Sequence, residues 1–260
     1  MHFKSTFFLV FLLLLPLGLM GQLLSISDNG TTATSGTGWS TVDAGPSLRR
    51  IVKTGTGTTD IRPSVIEGFL NDGFDVEILN IVAGGNIQIE DRIDKTSGGD
   101  ATLTVRANGR AWGWSNRHIT STSGKLNVVL WSDYDNDGDG GVSLTGNLVT
   151  NGGHVWLGSS STPSGSLRWN GLTVGNGPSR GGTGENANGM DIFANVTTNG
   201  GDFLAWAGDR RPGSGGIDGI GNDGAGDVVD TGSGDIILIT DRVDGDGPTA
   251  MFFETTGHFY

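Results

Sequence analysis

The chain contains no cysteine among its 260 residues, only 7 prolines and 2 tyrosines, and far fewer basic than acidic side chains, 16 Lys and Arg against 28 Asp and Glu. Without cysteine there is no disulfide framework, no thiol nucleophile and no residue to acylate in a lipoprotein. The formal charge of −12 repels phosphate backbones, so nucleic acid is excluded as a natural partner. After the first 21 residues no run approaches the roughly 18 apolar residues that a membrane-crossing helix requires, so no transmembrane segment is expected in the mature chain. Long helical periodicity is also lacking. Only Val65–Leu70 reads as a short helix, ended by Asn71-Asp72-Gly73.

The amino terminus reads as a secretory signal, with Lys4 in the positive region, Phe7 to Leu15 as the apolar stretch and small residues from Gly18 to Gly21. A lone membrane anchor is the alternative. Cleavage after Gly21 removes Lys4 and no acid, leaving 15 basic and 28 acidic side chains and a formal charge of −13. The implied location is extracellular or at the cell surface, where a chain without disulfides must hold itself together by burial and backbone hydrogen bonds.

Glycine is abundant instead, at 47 residues. The glycines alternate with short runs of Val, Ile, Leu, Phe and Trp, which a disordered tract would lack. Strands are expected over 75–82, 86–89, 101–107, 125–131, 141–144, 154–157, 191–196, 203–207 and 235–240, each closed by turn-forming Gly, Asn, Asp or Ser. Residues 22–64, with the Gly/Thr/Ser-rich stretch 29–40, read as an irregular N-terminal cap, and 65–260 as the repeat domain.

A repeat decides the architecture. An apolar residue leads to Thr, then to a Gly-containing turn, then to a new strand, as in Ile93 to Leu103. The pattern returns around Thr122, Thr150, Thr198 and Thr231, so with Thr96 the threonines lie 26, 28, 48 and 33 residues apart. The interval of 48 reads as two turns of about 24. A unit of this length buries its apolar face only by stacking on its neighbours, with strands about 4.8 Å apart. The expectation is an all-β parallel β-solenoid of roughly eight coils, and the competing fold is a β-sandwich or jelly roll.

The runs Gly98 to Ala107, Ile119 to Asp133 and Thr150-Asn151-Gly152-Gly153 resemble the filamentous-haemagglutinin-like β-strand repeats of large bacterial surface adhesins, over roughly Val65 to Asp241. The resemblance implies a right-handed parallel β-helix. It also implies a role in adhesion, aggregation or biofilm formation, with glycans or proteins of host or neighbouring cells as partners. The Asn-Pro-Asn-Gly-type signature of that family's secretion domain is absent. Phe252 to Tyr260 reads either as an apolar end cap or as the end of a piece of a longer repeat protein.

Asp133-Tyr134-Asp135-Asn136-Asp137-Gly138-Asp139 is the sharpest local signal. Calcium takes six to eight hard oxygens, and alternating Asp in a tight loop brings carboxylates together, so Asp133, Asp135, Asp137 and Asp139 are the expected ligands. No cofactor is otherwise required. The competing reading is a solvated turn, and it weighs more at Asp218, Asn222, Asp223, Asp227, Asp244 and Asp246. Catalysis has little support. His118, His154 and His258 lack metal-ligand spacing, and His154 reads as a ladder position on a strand. Gly181 to Gly184 lacks the Lys-Ser/Thr of a phosphate loop. Asp91, Asp94, Asp100, Asp191 and Asp202 form a groove only by chance pairing, so a carbohydrate-active enzyme stands as the alternative function. The seven tryptophans, at 39, 112, 114, 131, 156, 169 and 206, fill the interior, or, if exposed, stack on sugars.

Overall fold

Ala101–Ala107 places apolar side chains at alternate positions, and those positions are buried while the intervening ones are half-buried. This is the period-2 signature of a strand with one face on a core. The computed structural model describes residues 22–31, 35–36, 38–113, 117–181, 189–211, 214–215, 217–218, 228–240 and 252–260. The segment 1–21, read as a secretory signal, lies outside the described residues, as do Trp114, Asn222 and the acidic positions 223, 227, 244 and 246. Among those described, strands dominate and one helix, Pro63–Asn71, is present, so the chain is all-β in class. No helix among them is long and apolar enough to cross a membrane.

The strands form three large sheets of seven, six and nine strands. The chain visits them in rotation. Asn86–Ile89 lies in the first, Ile93–Lys95 in the second and Ala101–Ala107 in the third; Ala111–Gly113, Ile119–Ser121 and Leu126–Trp131 then repeat the tour. Each strand pairs in parallel with the strand one circuit on. In the third sheet the parallel series runs from Leu48–Lys53 to Ile236–Ile239, with antiparallel Trp39–Asp43 and Ser35–Gly36 beyond its first member. Register puts like against like: Ile93, Ile119, Leu148, Val196 and Val229 form one buried row, and Leu103, Val128, Val155, Phe203 and Ile236 another.

The helix occupies the place of a second-sheet strand between Thr59–Ile61 and Asp75–Asn80. Val65, Ile66 and Leu70 are buried. Glu67 Oε1 accepts the Asp94 N–H at 2.9 Å, and Asn71 Oδ1 accepts those of Thr96 and Ser97 at 2.8 and 3.0 Å. The sheet edge is thus covered and partly satisfied by side chains.

Three expectations are corrected. The interval of 48 residues is one circuit, because Leu148 pairs directly with Val196. Its extra length includes an inserted antiparallel hairpin, Ser166–Trp169 with Leu172–Gly175. The segment before Ser64 is not merely irregular: Leu23–Thr31 lies in the first sheet between Thr59–Ile61 and Asn86–Ile89, with Leu24 and Ile26 fully buried.

The third correction concerns the threonine column. Thr150, Thr198 and Thr231 do align, each following residues paired in register, but Thr96 and Thr122 fall one position later. The column continues through Ser121 and Lys95. All five side chains are buried. What the position requires is a donor, because a turn carbonyl points inward there. Thr150 donates to Gly153 O at 2.6 Å, Thr231 to Gly234 O at 2.7 Å, Thr198 to Gly201 O, and Lys95 Nζ to Ser97 O at 2.7 Å.

Replacing Thr150 with Val removes that donor while keeping the shape, leaving a buried carbonyl unpaired; urea unfolding should show a loss of about 1–3 kcal/mol. Gly201→Ala should cost a similar amount, since its Cβ would stand 2.0 Å from Gly153 O of the preceding circuit.

Candidate functional site

The corner between third and first sheets is short in one circuit, only Asn108 to Arg110 joining Ala101–Ala107 to Ala111–Gly113. One circuit later the same corner carries the acidic loop, Ser132 to Gly141, between Leu126–Trp131 and Val142–Leu144. The loop is pinned at its start, where Asp133 N donates to Gly109 O and Tyr134 N to Ala107 O, both at 3.1 Å. It turns through left-handed backbone at Asp133, Asn136 and Gly138, with φ of 47°, 55° and 81°. Asp and Asn tolerate this conformation better than most residues and Gly best of all, which explains the composition locally.

The turns draw Asp133, Asp135 and Asp137 together, with one carboxylate oxygen from each lying within 4.8 Å of the others. Two oxygens each about 2.4 Å from one calcium ion are separated by up to roughly that distance. Asp139 is exposed and stands outside the group, although its N–H bonds Asp137 Oδ1 at 2.8 Å. Asp133 is fully buried. Its Oδ1 accepts the Gly138 N–H at 3.0 Å, but Oδ2 has no partner, and Asp135 Oδ1 and Asn136 Oδ1 are likewise buried without one. Burial, reinforced by the charges of Asp137 and Asp135 and opposed by the Gly138 hydrogen bond and Arg180, raises Asp133 to a pKa of about 6. Asp135 is raised too, first by burial and then by Asp137. Orphaned buried acceptors of one sign are costly alone and are the donor set that a hard cation satisfies.

The remaining sequence-named acids do not converge. Asp91 pairs with Arg117 and Asp94 with Arg92, both at 3.3 Å; Asp100 accepts the Lys125 N–H; Asp191 lies on the first sheet. Asp218 ends the strand Ile217–Asp218. His118 Nδ1 accepts the Asn147 N–H at 3.1 Å.

His154 belongs to a ladder at the edge of the third sheet. Asn127 Oδ1 accepts the His154 N–H, His154 Nδ1 that of Asp202, Asp202 Oδ1 that of Asp235, and Asp235 Oδ1 that of His258, all at 2.8–2.9 Å. His154 must be unprotonated at Nδ1 to accept. Burial and, more weakly, Lys125 lower its pKa against the opposing pull of Asp202.

Of the described tryptophans, Trp39, Trp131 and Trp156 are buried. The last two lie under the inserted hairpin in a second apolar cluster with Val129, Leu172, Val174 and Leu204. The hairpin leaves a trough beside it on the third sheet, lined by Arg50, Asp75, Glu77, Arg106 and Arg168, which no sequence pattern had singled out.

No protein-family model, curated protein or solved structure matches this chain.

Two titrations act in opposite directions. Asp133 ionises near 6 when folded against about 3.8 unfolded, so its contribution rises as pH falls from 6 towards 3.8. His154, lowered in the fold, contributes fully above 6.5 and loses that contribution as pH falls below it. In chelator at pH 7, Asp133→Asn should therefore be more stable than the parent chain by on the order of 1–3 kcal/mol in urea unfolding, and it should flatten the acid-side rise.

Proposed function

We propose that this chain is an exported right-handed parallel β-helix of about seven coils, one fewer than the repeat count suggested because the 48-residue interval is a single circuit, that serves as a structural and adhesive module, with calcium bound by Asp133, Asp135 and Asp137. The reading places it outside the cell or on its surface, in the manner of the filamentous-haemagglutinin-like adhesins that its repeats resemble. Its partners are surface glycans or proteins. The observation that carries it is the rotation of the chain through three parallel sheets in register, which builds a rigid elongated surface out of short strands.

Calcium fits this role by stiffening. A loop tied at both ends but carrying unpaired acceptors between them gains three charge-compensated ligands, and the cation removes the repulsion among them. The carbohydrate-active enzyme is the weaker reading because the carboxylates of the trough are engaged. Glu77 is held between two arginines, and Asp75 Oδ1 accepts the Thr102 N–H at 2.7 Å, so neither is placed as a free acid or base.

Calcium at about a hundred times its Kd should raise the melting midpoint by on the order of 5–10 °C, and Asp133→Asn should abolish the rise; a midpoint indifferent to chelator removes calcium from the account. Beads coated with the protein should attach to cells or glycan-coated surfaces without releasing reducing ends from polysaccharide. Steady release of such ends would replace the adhesive reading with the enzymatic one.

A further inference from the structure

In the third sheet Arg50, Glu77 and Thr104 are neighbours in register across three strands, and Arg106 lies two residues beyond Thr104 on the same face. The rows that follow on later strands are apolar, at Val129, Trp156 and Leu204, and the inserted hairpin covers them. Where the covered rows end, the trough begins, about 320 Å³ in volume, floored by the charged rows and walled by Arg168, Leu172 and Thr173 of the hairpin. This volume lies at the lower end of the range of roughly 300–1,000 Å³ typical of small-ligand sites.

The charges of the trough run against those of the chain. Three guanidinium groups face two carboxylates, in a protein whose acids outnumber its bases 28 to 16. Both carboxylates have partners within the protein. Glu77 Oε2 takes Arg50 at 2.6 Å, Glu77 Oε1 takes Arg106 at 2.5 Å, and Asp75 caps the Thr102 amide. The donors are not all taken. Exposed Arg168 donates from Nη1 to the Thr173 hydroxyl at 2.9 Å, leaving most of its fork turned to solvent, and Arg50 and Arg106 keep 37% and 15% of their side chains exposed beside their contacts with Glu77. Arg106 is also fixed from behind, its guanidinium 4.4 Å from the Trp131 ring centre and 4.9 Å from that of Tyr134.

We infer that this trough binds an acidic polysaccharide, its carboxylate or sulfate groups taken by Arg168, Arg106 and Arg50 and its hydroxyls by Thr102, Thr104 and Thr173. Planar guanidinium forks match such oxyanions two oxygens at a time. A sheet face offers only side chains, whereas an extended acidic peptide is held chiefly by main-chain hydrogen bonds at a strand edge. The open sheet face lined with hydroxyls and guanidinium groups therefore favours the saccharide. The inference deepens the adhesive reading by naming a ligand class, and it is tested on soluble polymer without cells, so that its failure is separate from a failure of attachment.

Titration calorimetry with the full-length secreted protein would use polygalacturonate for carboxylate, dextran sulfate for sulfate ester, unmodified dextran as the neutral polymer and polyglutamate as the acidic peptide. One or both acidic polysaccharides should bind, more weakly with added salt, and the stronger of the two identifies the group recognised. Arg168→Ala should weaken binding at least fivefold at an unchanged melting midpoint, with partial recovery in Arg168→Lys, whereas Arg92→Ala, remote from the trough, should have no effect. Arg50→Gln provides a second variant if the hairpin change disturbs folding. The inference falls if neither polysaccharide binds, if dextran or polyglutamate binds as tightly, or if Arg168→Ala and Arg50→Gln leave Kd within twofold of the parent chain.

Discussion

The parallel backbone ladder between successive circuits governs the rest of the molecule, because it brings one turn of chain against the next at about 4.8 Å and tolerates nothing between them. Its demand recurs, circuit after circuit, at the corner leading into the third sheet. At Gly153, Gly201, Gly234 and Gly257 an added Cβ would stand 2.0–2.5 Å from a carbonyl oxygen of the circuit before. Much of the glycine in the sequence is thus a condition of stacking and not a sign of a loose chain.

The same approach creates a polar problem inside the stack, since each of these corner turns points a carbonyl inward. Threonine solves it in three circuits and Ser121 in another, its Oγ 2.9 Å from Gly124 O. Lys95 solves it by burying an ammonium group, whose pKa is lowered by the loss of solvation, between carbonyls of its own turn and Ser123 O of the next circuit. That three chemically unlike residues occupy one column identifies donation, and not side-chain shape, as the constraint. Outside the stack, Asn127, His154, Asp202 and Asp235 perform the complementary task by accepting main-chain N–H groups one circuit on.

Much of this was legible in the sequence. Short β-type runs closed by turn formers located Asn86–Ile89 and Ala101–Ala107 to the residue, and the Val-Ile-Glu-Gly-Phe-Leu run located the helix to within two residues at its start and one at its end. The register was not legible, because reading threonine as the repeating unit hid Lys95 and Ser121, which do the same work with different atoms. Leu23–Thr31 was missed because its polar tail resembles linker, while only Leu24, Ile26 and their neighbours carry the burial. The hairpin did announce itself: Asn170-Gly171, with φ of 47° and 80°, is the strongest short hairpin signal, but a 48-residue interval taken as two turns of about 24 leaves no room for an insertion. Of the proposed calcium ligands, alternation along the loop named four acids, and folding brings Asp133, Asp135 and Asp137 together and leaves Asp139 outside the group. The trough could not be found by any linear pattern, since Arg50, Glu77 and Arg106 meet only through register.

The position of the insertions completes the argument. A stack built on strict register cannot vary within its strands without disturbing the neighbours on either side, so added chain collects where ladders pause. Here the corner from third to first sheet carries the acidic loop in one circuit and the hairpin in the next. The two are joined, since Ser164 N donates to Tyr134 O at 2.8 Å and the Trp131 indole donates to Ser160 Oγ at 2.8 Å. Tyr134, between Asp133 and Asp135, stands edge-on to Trp131 at 5.3 Å, and the two rings support the Arg106 guanidinium. The loop that gathers carboxylates therefore also fixes the aromatic surface behind a cation of the trough, so that ordering the first restricts the second by direct packing. Among the described residues, the regular stack supplies rigidity, and the corner from third to first sheet gathers the acidic loop and the hairpin.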